Sequence, residues 1–168
     1  MLPYLLSIGH SEGKLDSLVK ITFFKESPLL PASFSSIQMS IDISEKQKQE
    51  LVKLLTDISR QCDLEALGIV TREGISLAFF AGAGADADLL SAISAAIAST
   101  GENVIGKLQH GTLNDMMIRG TNGFTILATA GDHILIGSSQ ELTAVGLTLK
   151  TIRDAVPHLR AILTNAIF

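Results

Sequence analysis

Charge, cysteine and tryptophan are scarce in this sequence. Cys62 is the only cysteine, so no disulfide can form within the chain, and a cytoplasmic location is expected. Charged residues make up 18 % of the chain and hydrophobic residues 46 %, which argues against disorder and leaves few charges for the surface of a monomer. The net charge of −4, without a run of Lys or Arg, argues against a nucleic-acid partner. No apolar run approaches the roughly 20 residues of a transmembrane helix, so no membrane insertion is predicted.

Patterns of catalytic and metal-binding residues are also missing. The four histidines have no metal-ligand spacing, and the chain contains neither a Walker phosphate loop nor a G-x-S-x-G elbow. Gly82–Ala87 matches a G-x-G-x-x-A dinucleotide motif, but Glu102, the acid 20 residues later, falls inside a predicted helix. We therefore predict no catalytic residue, no metal, no cofactor and no NAD binding. A nucleotide-dependent oxidoreductase is the least favoured function.

The first 38 residues differ from the rest of the chain. They hold three of the four prolines and the single tyrosine, and no long hydrophobic period appears in them. We predict that residues 1–38 form a flexible N-terminal extension, which an over-long gene start would explain, and that residues 39–168 form one domain. The alternative is that Ile21–Phe24 forms a strand or a docking segment.

Hydrophobic periodicity divides the rest of the chain into three helices and five strands. Ser44 and Gln47 form a capping box that starts a helix over 44–62, with Cys62 in its apolar stripe. Strands are predicted at 64–72, 75–80, 113–119, 124–130 and 133–138, with hairpin turns at Glu73-Gly74 and Asn122-Gly123. A last helix over 141–164 contains Pro157, which is expected to kink or restart it near Asp154. The order α-β-β-α-β-β-β-α predicts an α/β (α+β) fold, with a five-stranded, mostly antiparallel sheet and helices on both faces.

The central helix, predicted over 86–108 with Asp86 as N-cap, has an unusual surface. Its large apolar residues at helical spacing are expected to face the sheet of the same chain; they are Leu90, Ile93, Ile97, Val104 and Leu108. Between Leu89 and Gly106 the only charged residue is Glu102. We predict that a strip of small residues, with two residues of the neighbouring strand, forms a dimer interface. These residues are Ala92, Ala96, Ser99, Asn103, Met116 and Ile118. The alternative is a helix that is merely rich in alanine.

Three stretches together resemble the Roadblock / dynein light chain family. Leu67–Ala78 resembles its first hairpin, 86–108 its dimerisation helix, and Gly137–Leu147 its last strand leading into the last helix. The resemblance covers about residues 44–164, and the chain is similar to prokaryotic single-domain regulators of Ras-like GTPases. It implies homodimers or heterodimers that pair the long helices and join edge strands into one sheet. It also implies a non-enzymatic protein that binds a small Ras-like GTPase, as an activating or exchange-promoting platform, or that serves as a scaffold. The extension and Pro157 depart from the family pattern.

We therefore predict a dimeric regulator or scaffold of a Ras-like GTPase. The GTPase is expected to contact the face of the paired central helices, where Asp88, Glu102 and Lys107 form a rim. Two alternatives remain open: a small-ligand sensor domain, which needs a cavity with convergent polar groups, and a purely structural dimeric subunit.

Overall fold

In the computed structural model, the described residues are 43–82, 86–164 and the backbone of three N-terminal strands. These strands are β1 (Ser7–Gly9), β2 (Leu18–Thr22) and β3 (Ser36–Ser40). The remaining elements are α1 (Glu45–Gln61), β4 (Ala66–Thr71), β5 (Ser76–Ala81), α2 (Ala87–Lys107), β6 (Asp115–Arg119), β7 (Phe124–Ala130), β8 (His133–Ser139), a 3₁₀ turn (Leu142–Ala144) and α3 (Val145–Thr164). The predicted order of three helices and five strands is confirmed, because every predicted element is present.

The five predicted strands lie side by side in the order β5-β4-β8-β7-β6, each antiparallel to its neighbour. The all-apolar run Ile134–Ile136 of β8 lies between β4 and β7 and is buried, as its lack of polar residues predicts. The predicted α+β fold with helices on both faces is therefore confirmed.

The described parts of the N-terminal segment extend this sheet on the β5 side. β3 pairs antiparallel with β5, from Ser36 opposite Ala81 to Met39 opposite Ala78, and β2 and β1 follow. This differs from the flexible extension predicted for residues 1–38, and the β3–β5 ladder crosses the predicted boundary at residue 39. The boundary itself remains a prediction that needs a truncated chain.

Helices α1 and α3 cover one face of the sheet. The capping box starts α1 as predicted: the backbone N–H of Gln47 donates to the Ser44 hydroxyl at 3.3 Å, and the Gln47 side chain accepts from the Ser44 backbone N–H at 3.0 Å. Leu51, Leu55 and Cys62 of this stripe are buried. They form one large core with residues of the sheet and α3: Leu67, Ile69, Phe80, Leu135, Ile152 and Leu159.

Two local features differ from the predictions. Of the predicted kink or restart of α3 near Asp154, the restart is absent, because the helix runs through Pro157. Ile152, Ala155 and Leu159 anchor its inner face on both sides of the exposed proline. The hairpin between β6 and β7 does not turn at Asn122-Gly123. Its loop is Thr121-Asn122, closed by a 2.8 Å bond from the Gly120 N–H to the Gly123 carbonyl. Position 123 has no room for a side chain, because a Cβ on Gly123 would lie 2.8 Å from the carbonyl oxygen of Ser139.

Candidate functional site

Small residues form the side of α2 that packs on the sheet. Ala87, Ser91, Ser94, Ala95 and Ala98 are buried there. The serine hydroxyls donate back to the carbonyls of Ala87 and Leu90, at 2.6 Å each, so burial leaves neither hydroxyl without a partner. This side therefore lets the helix backbone approach the sheet closely.

The large apolar residues of α2 point the other way. Leu89, Ile93, Val104 and Leu108 are exposed, with 44–57 % of each residue accessible. We call these four residues the outer stripe. The prediction that Leu90, Ile93, Ile97, Val104 and Leu108 face the sheet is therefore wrong for Ile93, Val104 and Leu108, which are exposed. Leu90 and Ile97 are half-buried and pack against the core on this side of the sheet. Periodicity identifies an apolar stripe, but it does not tell which neighbour covers that stripe.

An apolar groove of about 620 Å³ runs between α2 and β6. The helix contributes Ile93, Ile97 and Val104 among others, and β6 contributes Met116. The Met116 side chain lies against Gly101 of α2, in the space that a Cβ at Gly101 would need. Met116 therefore points to the α2 side of the sheet. Because side chains alternate along a strand, Ile118 points to the same side.

The structure places the predicted interface residues on one face of the molecule. Ala92, Ala96, Ser99 and Asn103 are exposed on α2, Ile118 is exposed on β6, and Met116 is half-buried. Ala96 and Met116 line the same groove. Ala92 also borders the β4–β5 turn, where a Cβ on Gly74 would lie 3.0 Å from the Ala92 Cα. Their role as an interface remains a prediction.

The three predicted rim residues do not form a cluster. Asp88 and Lys107 are exposed in the first and last turns of α2, about 28 Å apart along the axis at about 1.5 Å per residue. Glu102 is half-buried and pairs with Arg72, whose Nε also donates to the Gly131 carbonyl at 3.0 Å. Glu102 thus connects α2 to two turns of the sheet, which gives it a structural role in addition to any binding role.

β6 is an edge strand of the described sheet, since only β7 pairs with it. Arg153 of α3 holds Asp115 through two hydrogen bonds, from Nε at 2.8 Å and from an Nη at 2.9 Å. The sequence assigned Asp115 no role beyond capping and solvation. It offered no signal for this ion pair, because 38 residues separate the two side chains.

Among the described helices, α2 has the length and mean hydropathy that could span a membrane, although no such run was expected from the sequence. Its inner side packs on the sheet, where Ser91, Ala95 and Ala98 are buried.

The dinucleotide-like motif lies partly outside the described residues, which omit 83–85. The strand before it belongs to an antiparallel hairpin. Within the described residues, no group of three or more His, Cys, Asp or Glu side chains could hold a metal ion.

Comparisons with known proteins agree with this architecture. The Roadblock/LC7 domain matches residues 49–138, more than half of the chain. Two uncharacterized proteins of Methanocaldococcus jannaschii are each 25 % identical over 109 residues, covering 65 % of this chain and 96 % of the relative.

Solved structures share the fold. MglB of Myxococcus xanthus has a TM-score of 0.67 at 14 % identity, covering 75 % of this chain and 96 % of that one. The gliding protein MglB of Thermus thermophilus has a TM-score of 0.63 at 20 % identity, covering 74 % and 96 %. An MglB structure described as a tetrameric arrangement has a TM-score of 0.66 at 18 % identity, covering 74 % and 95 %. The chain belongs to the Roadblock/LC7 domain family.

Proposed function

We propose that this protein is a non-enzymatic dimeric regulator or scaffold that binds a small Ras-like GTPase. The observation that carries the proposal is the outer stripe of α2, which lies beside an apolar groove and an edge strand on the same face of the fold. Contiguous apolar surface of this kind on a soluble domain marks an interaction site.

A second copy of the chain is the occupant that fits this surface. A two-fold axis between two copies would pack outer stripe against outer stripe and pair edge strand with edge strand. The apolar groove would receive apolar side chains of the partner helix, and the free backbone groups of β6 would find hydrogen-bond partners. A small-ligand sensor is less well supported, because the groove lining is mostly aliphatic and offers few convergent polar groups.

The GTPase part of the proposal rests on membership of the Roadblock/LC7 family. Asp88 and Lys107 are exposed at the two ends of α2, so they would lie at the rim of a helix pair and remain available to a further partner. In this proposal the protein acts by holding or reshaping the nucleotide site of the GTPase, with no reaction of its own.

Binding to a purified small Ras-like GTPase from the same genome tests this proposal. Isothermal titration calorimetry would compare the GDP form with a form loaded with a non-hydrolysable GTP analogue. We expect one nucleotide state to bind more tightly than the other. We also expect Lys107→Glu to weaken binding by roughly tenfold, which is about 1.4 kcal/mol.

Lys46→Glu is the matched control, because Lys46 is an exposed lysine on α1, across the sheet from α2. If Lys46→Glu weakens binding and Lys107→Glu does not, the site belongs on the α1/α3 face. If no small GTPase of the genome binds, the regulatory role is wrong and a structural dimeric subunit becomes the better account. Glu102 is a poor test position, since its replacement would also release Arg72.

A further inference from the structure

The backbone of β6 alternates between groups used by β7 and groups directed away from it. The Gly120 N–H donates to the Gly123 carbonyl, and the Thr129 N–H donates to the Asn114 carbonyl, both at 2.8 Å. Hydrogen-bonded pairs alternate along an antiparallel ladder. Met116 and Ile118 therefore bond to β7, while the N–H and C=O groups of Asp115, Met117 and Arg119 point to the open edge. Any strand that adds to this edge must bond to these three residues.

The side chains of the same three residues share one face of the sheet. Asp115 is bound by Arg153 of α3, so its side chain lies on the α1/α3 face. Alternation places the side chains of Met117 and Arg119 on that face too. Arg119 is exposed and forms no ion pair within the described residues. The edge therefore carries an acid at one end, a base at the other and methionine between them.

We infer that β6 pairs with a second copy of itself in a single register, with Met117 on the two-fold axis and each Asp115 opposite the Arg119 of the partner subunit. This inference rests on the dimer of the proposed function. It adds that the partner is a second copy of the same chain, so that the protein forms a homodimer.

Other registers form fewer hydrogen-bonded pairs between the outward-pointing residues of β6, or they bring like charges together. With Met117 on the axis, all three outward residues form hydrogen-bonded pairs, and both charged pairs are opposite in sign. An axis at Met116 or at Ile118 leaves only two such pairs and contains no charge pair, because Asp115 in the first case and Arg119 in the second lies opposite the Met117 of the other copy. An axis at Asp115 sets two carboxylates opposite each other, which is destabilising.

The same register is compatible with the position of α2. Met116, next to the axis, contacts Gly101 and lines the groove with Ala96 and Val104. An axis at Met117 therefore runs close to the middle of α2, where two outer stripes would meet. A related domain without an acid and a base at these two edge positions would lack both cross-strand charge pairs, so the register favours a homodimer.

Two charge reversals test the register. In Asp115→Lys and in Arg119→Glu, each homodimer contains two like-charge contacts instead of two attractive ones. In a mixed dimer of the two variants, the introduced lysine faces the introduced glutamate, and the unchanged Arg119 faces the unchanged Asp115, so both contacts become attractive again. We expect each variant alone to dimerise roughly tenfold more weakly than the wild type, because each such contact is worth a factor of about five at most.

Native mass spectrometry of an equimolar mixture gives the decisive readout. We expect the mixed dimer to make up most of the dimers instead of its statistical half, with the excess falling as salt is raised. Asp154→Lys is the matched control, because Asp154 is an exposed acid on α3 that pairs with Lys150 of the same helix; we expect it to leave dimerisation unchanged. Asp115→Asn, which still accepts a hydrogen bond from Arg153, removes the attraction without adding repulsion and should weaken the dimer less.

Each outcome has one meaning. A dimeric wild type with a statistical mixture overturns the register and leaves the proposed dimer standing. A monomeric wild type overturns the proposed dimer itself.

Cysteine substitution provides a second test that does not depend on charge. Residues on the axis of a hydrogen-bonded pair lie about 5.5 Å apart between Cα atoms, within disulfide range, and the native Cys62 is buried. Met117→Cys should therefore cross-link to itself on mild oxidation and Met116→Cys should not. The reverse result would contradict the register.

Discussion

The two faces of the sheet are covered in opposite ways. On the α1/α3 face, large side chains such as Leu51, Leu55 and Leu159 are fully buried between helices and strands. On the other face, α2 presents alanine and serine to the sheet and keeps Ile93 and Val104 outside. One helix layer thus completes a core within the chain. The other layer leaves the outer stripe exposed, and we propose that a second copy of the chain covers it.

The largest expected effect on folding is on the α1/α3 face. Leu55→Ala removes a side chain with no exposed surface, and leucine-to-alanine changes in such cores cost about 2–5 kcal/mol of unfolding free energy. Urea unfolding measures the loss. Leu147→Ala, at an exposed leucine of α3, is the control and should stay within about 0.5 kcal/mol. Equal losses for the two variants would contradict the description of this core.

A substitution in the outer stripe should weaken dimerisation and leave folding intact. Ile93→Ser removes an exposed apolar side chain in the groove, so we expect an unchanged circular dichroism spectrum but a dimer weakened by roughly tenfold or more. Leu147→Ser is the matched control, since Leu147 is similarly exposed on the other side of the sheet. If both variants dimerise like the wild type, the outer stripe does not form the interface.

The sequence predicted this fold well because local signals agreed with one another. The Ser44 capping box, the Asp86 N-cap and the apolar run of β8 each have one physical interpretation. The predicted orientation of α2 was wrong because two sides of this helix are suitable for burial. Periodicity cannot tell which of these sides packs on the sheet and which is left for a partner. The Arg72–Glu102 and Arg153–Asp115 pairs depend on tertiary contacts between distant residues, so no local pattern reveals them.

Removal of residues 1–38 should have only a small effect on thermal stability. Both described core clusters lie within residues 43–163, so we expect a chain that begins at Met39 to express and to unfold at nearly the same temperature as the full chain. Differential scanning calorimetry checks this. A loss of several degrees would show that the pairing of β3 with β5 contributes to stability and that the boundary at residue 39 is wrong.

The smallest expected effect concerns pH. Burial lowers the pKa of His133 below its ordinary value, and the charges of Asp132 and Glu73 oppose this only in part. The unfolded chain therefore binds a proton more readily than the folded chain. At pH values above the ordinary pKa of histidine, His133 should not affect the free energy of unfolding. As the pH falls through the ordinary pKa toward the lowered pKa of the folded state, His133 should decrease the free energy of unfolding.

The His133 effect can be isolated by comparison with His158, an exposed histidine of α3. Urea unfolding at pH 7.5 and at pH 5.5 should show a smaller loss of stability at the lower pH for His133→Gln than for His158→Gln. The same pH dependence in both variants would contradict the role of burial at His133.

We propose that the outer side of α2 forms the interface between two copies of the chain. Sedimentation velocity of the wild type and of Ala96→Glu at micromolar concentration is the most direct test of this interface. Ala96 is exposed in the single chain, so glutamate there leaves the fold intact. In the dimer it would bury an unpaired charge, which costs about 3–5 kcal/mol. We predict a dimeric wild type and a folded, monomeric variant. A monomeric wild type, or an Ala96→Glu protein that remains a well-folded dimer, would show that this side of α2 is not the interface.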